Sequence, residues 1–236
     1  MYNSSVKCVF FSKLALLTGA LLAFGAASTS FAAPVYTGNL THPTGLFANA
    51  SWASPSSTLS WTVSQNQDGS WHYDYDFSVP EKDISHIIFE TSLTFTEADI
   101  LNLNWPRDLT EVQTHTSANG NPDIPAGFYG VKFNSPSEGT TSWNIEFDSW
   151  RQPVWGDFYA RDGRTGGQLN SAWNLGFTAA DPADPPQNGS IDSHVLVPDT
   201  IRSPGSHTPE PATLGLVGLA LLVLPVAMRR RRPSAR

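Results

Sequence analysis

An all-β fold is predicted for this 236-residue chain: a β-sandwich of jelly-roll or immunoglobulin-like type with one short helix. Three observations carry that expectation. Short segments alternate apolar and polar residues with period two, and clusters of Gly, Pro, Asn and Asp separate them. A single segment offers a helix-start signal.

The clearest element is a hairpin. Thr58 to Ser64 places Leu59, Trp61 and Val63 on one face and Thr58, Ser60, Thr62 and Ser64 on the other. Asp68-Gly69 then supplies the turn. Trp71 to Val79 puts Trp71, Tyr73, Tyr75, Phe77 and Val79 on one side and His72, Asp74, Asp76 and Ser78 on the other. One face is therefore buried and one solvated. Further strands are expected at Ile84–Thr94, Thr110–His115, Phe128–Phe133, Thr140–Phe147, Val154–Arg161, Ala172–Phe177 and His194–Val197. Thr96 and Asp99 have capping-box spacing, and Phe95 can staple to Ile100, which predicts a short helix over Glu97–Leu103. The stretch from Asp162 to Gly167 reads as a long hairpin turn, and the Pro-rich run from Asp181 to Asn188 cannot join a sheet interior.

Both ends of the chain carry targeting features. Lys7 and Lys13 precede an apolar stretch from Leu14 to Ala27, and Ser30-Phe31-Ala32 offers small residues at the −3 and −1 positions. A signal peptide over residues 1–32, cleaved after Ala32, is expected. At the other end, Pro209-Glu210-Pro211 abuts an uncharged run from Ala212 to Met228, followed by Arg229, Arg230, Arg231 and Arg232. As a helix the run reaches about 25 Å, slightly less than the ~30 Å hydrocarbon core, so a C-terminal single transmembrane helix over 212–228 is expected. The arginines would hold its C-terminal edge on the cytoplasmic side. An ordinary anchor ending in a stop-transfer cluster has the same composition.

The order Pro-Glu-Pro, span and basic stub resembles the PEP-CTERM sorting signal of Gram-negative bacteria. That resemblance implies recognition by an exosortase, with Pro209, Glu210 and Pro211 as the sorting motif and the tail removed after transient residence in the inner membrane. Signal peptidase would act at the other end. The segments Ile84–Glu90, Gly120–Pro122, Tyr129–Phe133, Pro153–Ala160 and Asn174–Phe177 also resemble a group of exported PEP-CTERM proteins, which supplies no enzymatic activity. The chain thus divides into a signal peptide (1–32), a sandwich ectodomain (33–197), a flexible tether (198–208) and a sorting signal (209–236).

Composition narrows the chemistry. Cys8, in the leader, is the only cysteine, so the exported domain has neither disulfides nor thiol chemistry. Between the two signals, seven basic residues stand against twenty acidic ones. That balance lacks the basic footprint nucleic acid requires, while calcium, basic proteins or neutral polysaccharide fit better. No Gly-x-Ser-x-Gly elbow, phosphate loop, dinucleotide fingerprint or His-Glu-x-x-His occurs. His72, Asp74 and Asp76 share a strand face and would form a metal site only with help from another strand. Glu146, Asp148 and Asp157 offer a glycosidase-like carboxylate pair, although outward acids on strands are commoner. No catalytic residue and no metal ligand is assigned, and no cofactor beyond calcium is considered.

Aromatic residues carry the remaining functional promise. Trp61, Trp71 and Trp143 fall on apolar strand faces, whereas Trp52, Trp105 and Trp150 have no evident face to bury them. Exposed flat rings would suit stacking on sugars. The sequence therefore favours an exported, non-enzymatic surface or matrix protein linked to exopolysaccharide or biofilm, resident in the envelope, on the cell surface or outside. A carbohydrate-binding module using Trp52, Trp105 and Trp150 is the alternative, and a polysaccharide-active hydrolase is third.

Overall fold

The computed structural model describes residues 32–137 and 139–202. They form an all-β domain of twelve strands: β1 (Val35–Thr41), β2 (Leu46–Ala48), β3 (Thr58–Gln65), β4 (Trp71–Ser78), β5 (His86–Glu90), β6 (Thr110–His115), β7 (Phe128–Asn134), β8 (Ser142–Ser149), β9 (Arg151–Gly156), β10 (Phe158–Thr165), β11 (Gln168–Asn174) and β12 (Val195–Arg202). Every pairing is antiparallel. One sheet has the order β1-β3-β4-β8, a second β2-β11-β10-β5-β7-β6, and β12 pairs with β9 alone.

The predicted hairpin forms in register, with Leu59, Trp61 and Val63 opposite Phe77, Tyr75 and Tyr73. Its turn holds because Asp68 Oδ1 accepts hydrogen bonds from the Ser70 amide (2.9 Å) and hydroxyl (2.6 Å), while Gly69 takes φ of +90°. Only glycine adopts that φ without a steric cost. The buried face of β4 meets the second sheet through its rings. Tyr75 stacks on Phe89 at 4.0 Å, and Phe77 packs against Phe158 at 6.0 Å. Residues of all three sheets share one apolar core. The hydroxyl of Tyr73 donates to the Arg151 carbonyl and that of Tyr75 to the Leu196 carbonyl, both at 2.8 Å. These two bonds satisfy buried phenols and fasten β9 and β12 to the inner face of β4.

Four differences from the sequence reading have physical reasons. The single strand expected over Val154–Arg161 is two strands in two sheets, broken at Asp157. Alternation continues across that corner because both halves bury apolar side chains. The helix expected over Glu97–Leu103 is one 3-10 turn, Glu97–Asp99. Its capping box forms, with Asp99 Oδ2 accepting from the Thr96 amide and hydroxyl at 2.9 Å, but Ile100 returns to extended backbone. The turn expected from Asp162 to Gly167 shrinks to Gly166-Gly167, both at positive φ, with strand pairing resuming at Thr165 and Gln168. Finally, β12 continues to Arg202, past the domain end expected at Val197 and into the stretch read as tether, because it pairs with β9 beyond Pro198.

Ala32 is exposed and lies just ahead of β1. Among the described residues no helix is long and apolar enough to cross a membrane. The expected signal peptide up to residue 31, the transmembrane helix over 212–228, the sorting residues Pro209, Glu210 and Pro211, and the cluster from Arg229 to Arg232 lie outside the described residues.

Candidate functional site

The three tryptophans singled out by sequence have three different environments. Trp52 sits in a 3-10 turn, is fully buried, and meets the Phe77 ring edge-on at 5.6 Å. It cannot present a face to a sugar, which corrects that expectation. The side chain lies outside any alternating strand, so no periodicity revealed its burial. Trp105 is half-buried, packs at 4.8 Å from Trp143, and donates its indole N–H to the Asn134 carbonyl at 2.9 Å. It caps a core edge. Trp150, between β8 and β9, is 45% exposed, in keeping with the lack of an apolar face for it in the sequence.

The polar face of β4 does receive help from another strand, but in the form of hydrogen bonds. His72 Nδ1 is 2.8 Å from Asp148 Oδ1, and Asn102 donates to Asp148 Oδ2 at 2.7 Å. Asn144 donates to Asp74 at 2.7 Å and to Asp76 at 3.2 Å. Burial would raise the Asp148 carboxyl, yet the bonds from Asn102 and His72 hold it below its ordinary range. Glu146 belongs to this face, whereas Asp157 lies at the corner after β9, so the three carboxylates suggested as a glycosidase set are not brought together.

That corner gathers the most unusual chemistry in the domain. Asp157 Oδ1, Asp181 Oδ1 and His194 Nε2 converge, with the three ligand atoms within 4.8 Å of one another. Nε2 stands 3.8 Å from Asp157 Oδ1 and 3.6 Å from Asp181 Oδ1. The pieces come from the β9–β10 corner, the Pro-rich loop and the residue preceding β12. Asp157 and His194 are held by backbone and amide contacts, the His194 amide donating to the Ile191 carbonyl at 2.8 Å. Asn174 on β11 donates to Asp157 Oδ1 at 2.7 Å and accepts from the Phe158 amide at 3.0 Å, which fixes its orientation. Glu90, at the end of β5, exchanges bonds with the corner: its amide donates to the Asp157 carbonyl (2.8 Å) and its Oε2 accepts from the Asp157 amide (3.0 Å).

Two glycines make the room. A Cβ on Gly156 would come within 2.6 Å of Val197 Cγ2 and 3.2 Å of Glu90 Oε2, and one on Gly176 within 2.6 Å of His194 Cε1. The imidazole is thus seated on bare backbone. Asp192 and Ser193, at φ of 47° and 63°, bend the chain sharply just before it.

Electrostatically the corner is strained. Burial, reinforced by the charges of Asp181 and Asp157, pushes Glu90 up to about 8. Burial chiefly pushes Asp157 up to about 6 against the hydrogen bond from Asn174, and it also raises Asp181. A pocket of about 170 Å³ opens beside the cluster, lined by Glu90, Thr91, Gly156, Asp181, Val197 and Asp199 among others. In the sequence Asp157 stands out only as a candidate catalytic carboxylate, and Glu90, Asp181 and His194 carry no local signal. The nearest signal was Gly156-Asp157 inside an otherwise unbroken strand pattern.

Residues 207–232 match the PEP-CTERM protein-sorting motif. The match covers Pro209, Glu210, Pro211 and Arg229 to Arg232, the residues on which the resemblance was drawn. No curated protein and no solved structure matches the chain. The chain therefore carries the signal of an exported, exosortase-targeted protein of the cell envelope or surface.

Proposed function

We propose that this protein is an exported, exosortase-processed surface or extracellular-matrix component with a non-enzymatic structural or interaction role, linked to exopolysaccharide or biofilm. Its working part is a cysteine-free β-sandwich of jelly-roll or immunoglobulin-like type, a reading supported by the ring contacts between facing sheets. The observation that carries the proposal is the sorting motif, which begins at residue 207, shortly after the final strand ends at Arg202. A folded domain is thus followed almost directly by its address. The hydrogen-bonded state of Asp74, Asp76 and Asp148 also suits a solvated structural face better than a catalytic one.

The test acts on the address. Two prolines around Glu210 would deny that segment helical hydrogen bonds, and a non-helical stretch is what a membrane-embedded protease could grip. Replacing Pro209, Glu210 and Pro211 by alanine should leave insertion intact and cause the uncleaved chain to accumulate in the inner membrane of the native host. Normal processing of the triple-alanine chain would reject the exosortase step. Carbohydrate binding is a second reading, favoured by the exposed ring of Trp150. Loss of polysaccharide retention in Trp150→Ala would support it.

A further inference from the structure

We infer that Asp157, Asp181 and His194 form a binding site for one borderline divalent cation of the zinc class, which fastens the Pro-rich loop to the corner between β9 and β10. Acidic clusters are common on secreted domains, so the argument rests on the histidine. The His194 side chain is fully buried, and its Nε2 has no hydrogen-bond partner. Its Nδ1 lies 3.2 Å from the Ile191 carbonyl oxygen, which can only accept. In the neutral ring the proton therefore belongs on Nδ1, which leaves Nε2 with a bare lone pair directed at two carboxylates. A carbonyl behind one nitrogen and an open lone pair on the other is the arrangement that orients metal-binding histidines.

Geometry and ligand type select the ion. In a tetrahedron with bonds of 2.0–2.1 Å, ligand atoms stand about 3.3 Å apart. The observed 3.6 and 3.8 Å from Nε2 lie within about half an ångström of that, and the three ligand atoms lie within 4.8 Å of one another, so a cation would draw the three groups together. One imidazole nitrogen with two carboxylate oxygens suits zinc better than calcium, which takes six to eight oxygens. Among the described residues, the cationic partner available to Asp157 and Asp181 is His194 itself. A divalent ion would neutralise the carboxylates that burial has left desolvated. Asp181 is 46% exposed at its side chain, so a fourth ligand can come from solvent on that side.

The role is structural. Asp157 ends a sheet corner, His194 starts the last strand, and Asp181 lies in the intervening loop, which contains no strand. One ion would tie all three in a domain that has no disulfide.

The test uses the full-length chain, purified, stripped with EDTA and titrated with zinc alone. One equivalent should bind, and a hundredfold excess over Kd should raise Tm by roughly 5–10 °C. Zinc should also slow proteolysis within residues 178–194. His194→Gln should abolish both effects. Should that variant fold poorly, Asp181→Asn changes a half-exposed loop residue and should weaken zinc binding at least tenfold while the metal-free chain stays folded. Absence of saturable binding would overturn the inference. It would fail equally if both variants kept wild-type affinity, or if calcium matched zinc at the same concentration.

Discussion

At the Arg151 end of β9, Asp99 is 3% exposed and faces a guanidinium; at the Gly156 end, Asp157 is 6% exposed and faces more carboxylate and an imidazole. Arg151 Nε and Nη2 reach the two oxygens of Asp99 at 3.1 and 3.2 Å, and the same guanidinium also donates to Thr94. Burial alone would raise Asp99, but the bonds from Arg151 and Thr96 outweigh it and hold the carboxyl below its ordinary range. At the other end burial wins, and both Asp157 and Glu90 are raised. The lesson is that burial of an acid does not by itself decide its charge. The donors within reach do, and only the Gly156 end leaves a deficit that a cation could fill.

The sharpest way to break this comparison is to make the same acid-to-amide change at both ends. Asp99→Asn leaves Arg151 buried without its counter-charge and should cost about 3–5 kcal/mol in chemical denaturation.

Acidification should have the next largest effect. His86, pushed down to about 3 by burial first and then by Lys132 and Arg161, refuses a proton that the unfolded chain accepts near 6.5. Because its folded value is depressed, its contribution is complete above pH 6.5 and is lost as pH falls toward 3. About 2 kcal/mol should be gone by pH 5. Asp99 acts in the same direction but only below about pH 4, where its ordinary range begins. Glu90 and Asp157, raised to about 8 and about 6, act in the opposite sense over the same window because the folded chain takes up their protons first. The His86 part is therefore read as the change from pH 7 to 5 in the difference between wild type and His86→Gln; no change in that difference would contradict the His86 assignment. In an Asp99→Asn background the His86→Gln difference should change with pH in the same way.

The smallest effect belongs to the Gly156 end. With EDTA present at pH 8, Glu90→Gln removes one of the crowded carboxylates while its amide oxygen can still accept from the Asp157 N–H. Stability should stay level or rise by about 1 kcal/mol. Opposite signs for Asp99→Asn and Glu90→Gln would uphold the contrast between the ends. A loss of several kcal/mol in both would show that Glu90 is already satisfied.

Local pattern by itself determined the address, the lack of cysteine in the domain, the all-β class and the β3–β4 hairpin. Each depends on residues close in sequence: Pro209 to Arg232, Asp68-Gly69, or the alternation from Thr58 to Ser78. The inward faces of β3 and β4 were legible for the same reason, since strand parity states which way a side chain points. Parity does not state what covers it, and so Trp52, in a 3-10 turn, gave no sign of its burial. Tertiary structure alone decided that Val154 to Arg161 divides between two sheets, because an alternating pattern looks identical whether or not the strand turns a corner. It also brought Glu90, Asp157, Asp181 and His194 to one place from four separate elements. Each of those residues is unremarkable within its own segment. Their chemistry comes from shared burial and mutual charge, which act through space and leave no periodic trace along the chain.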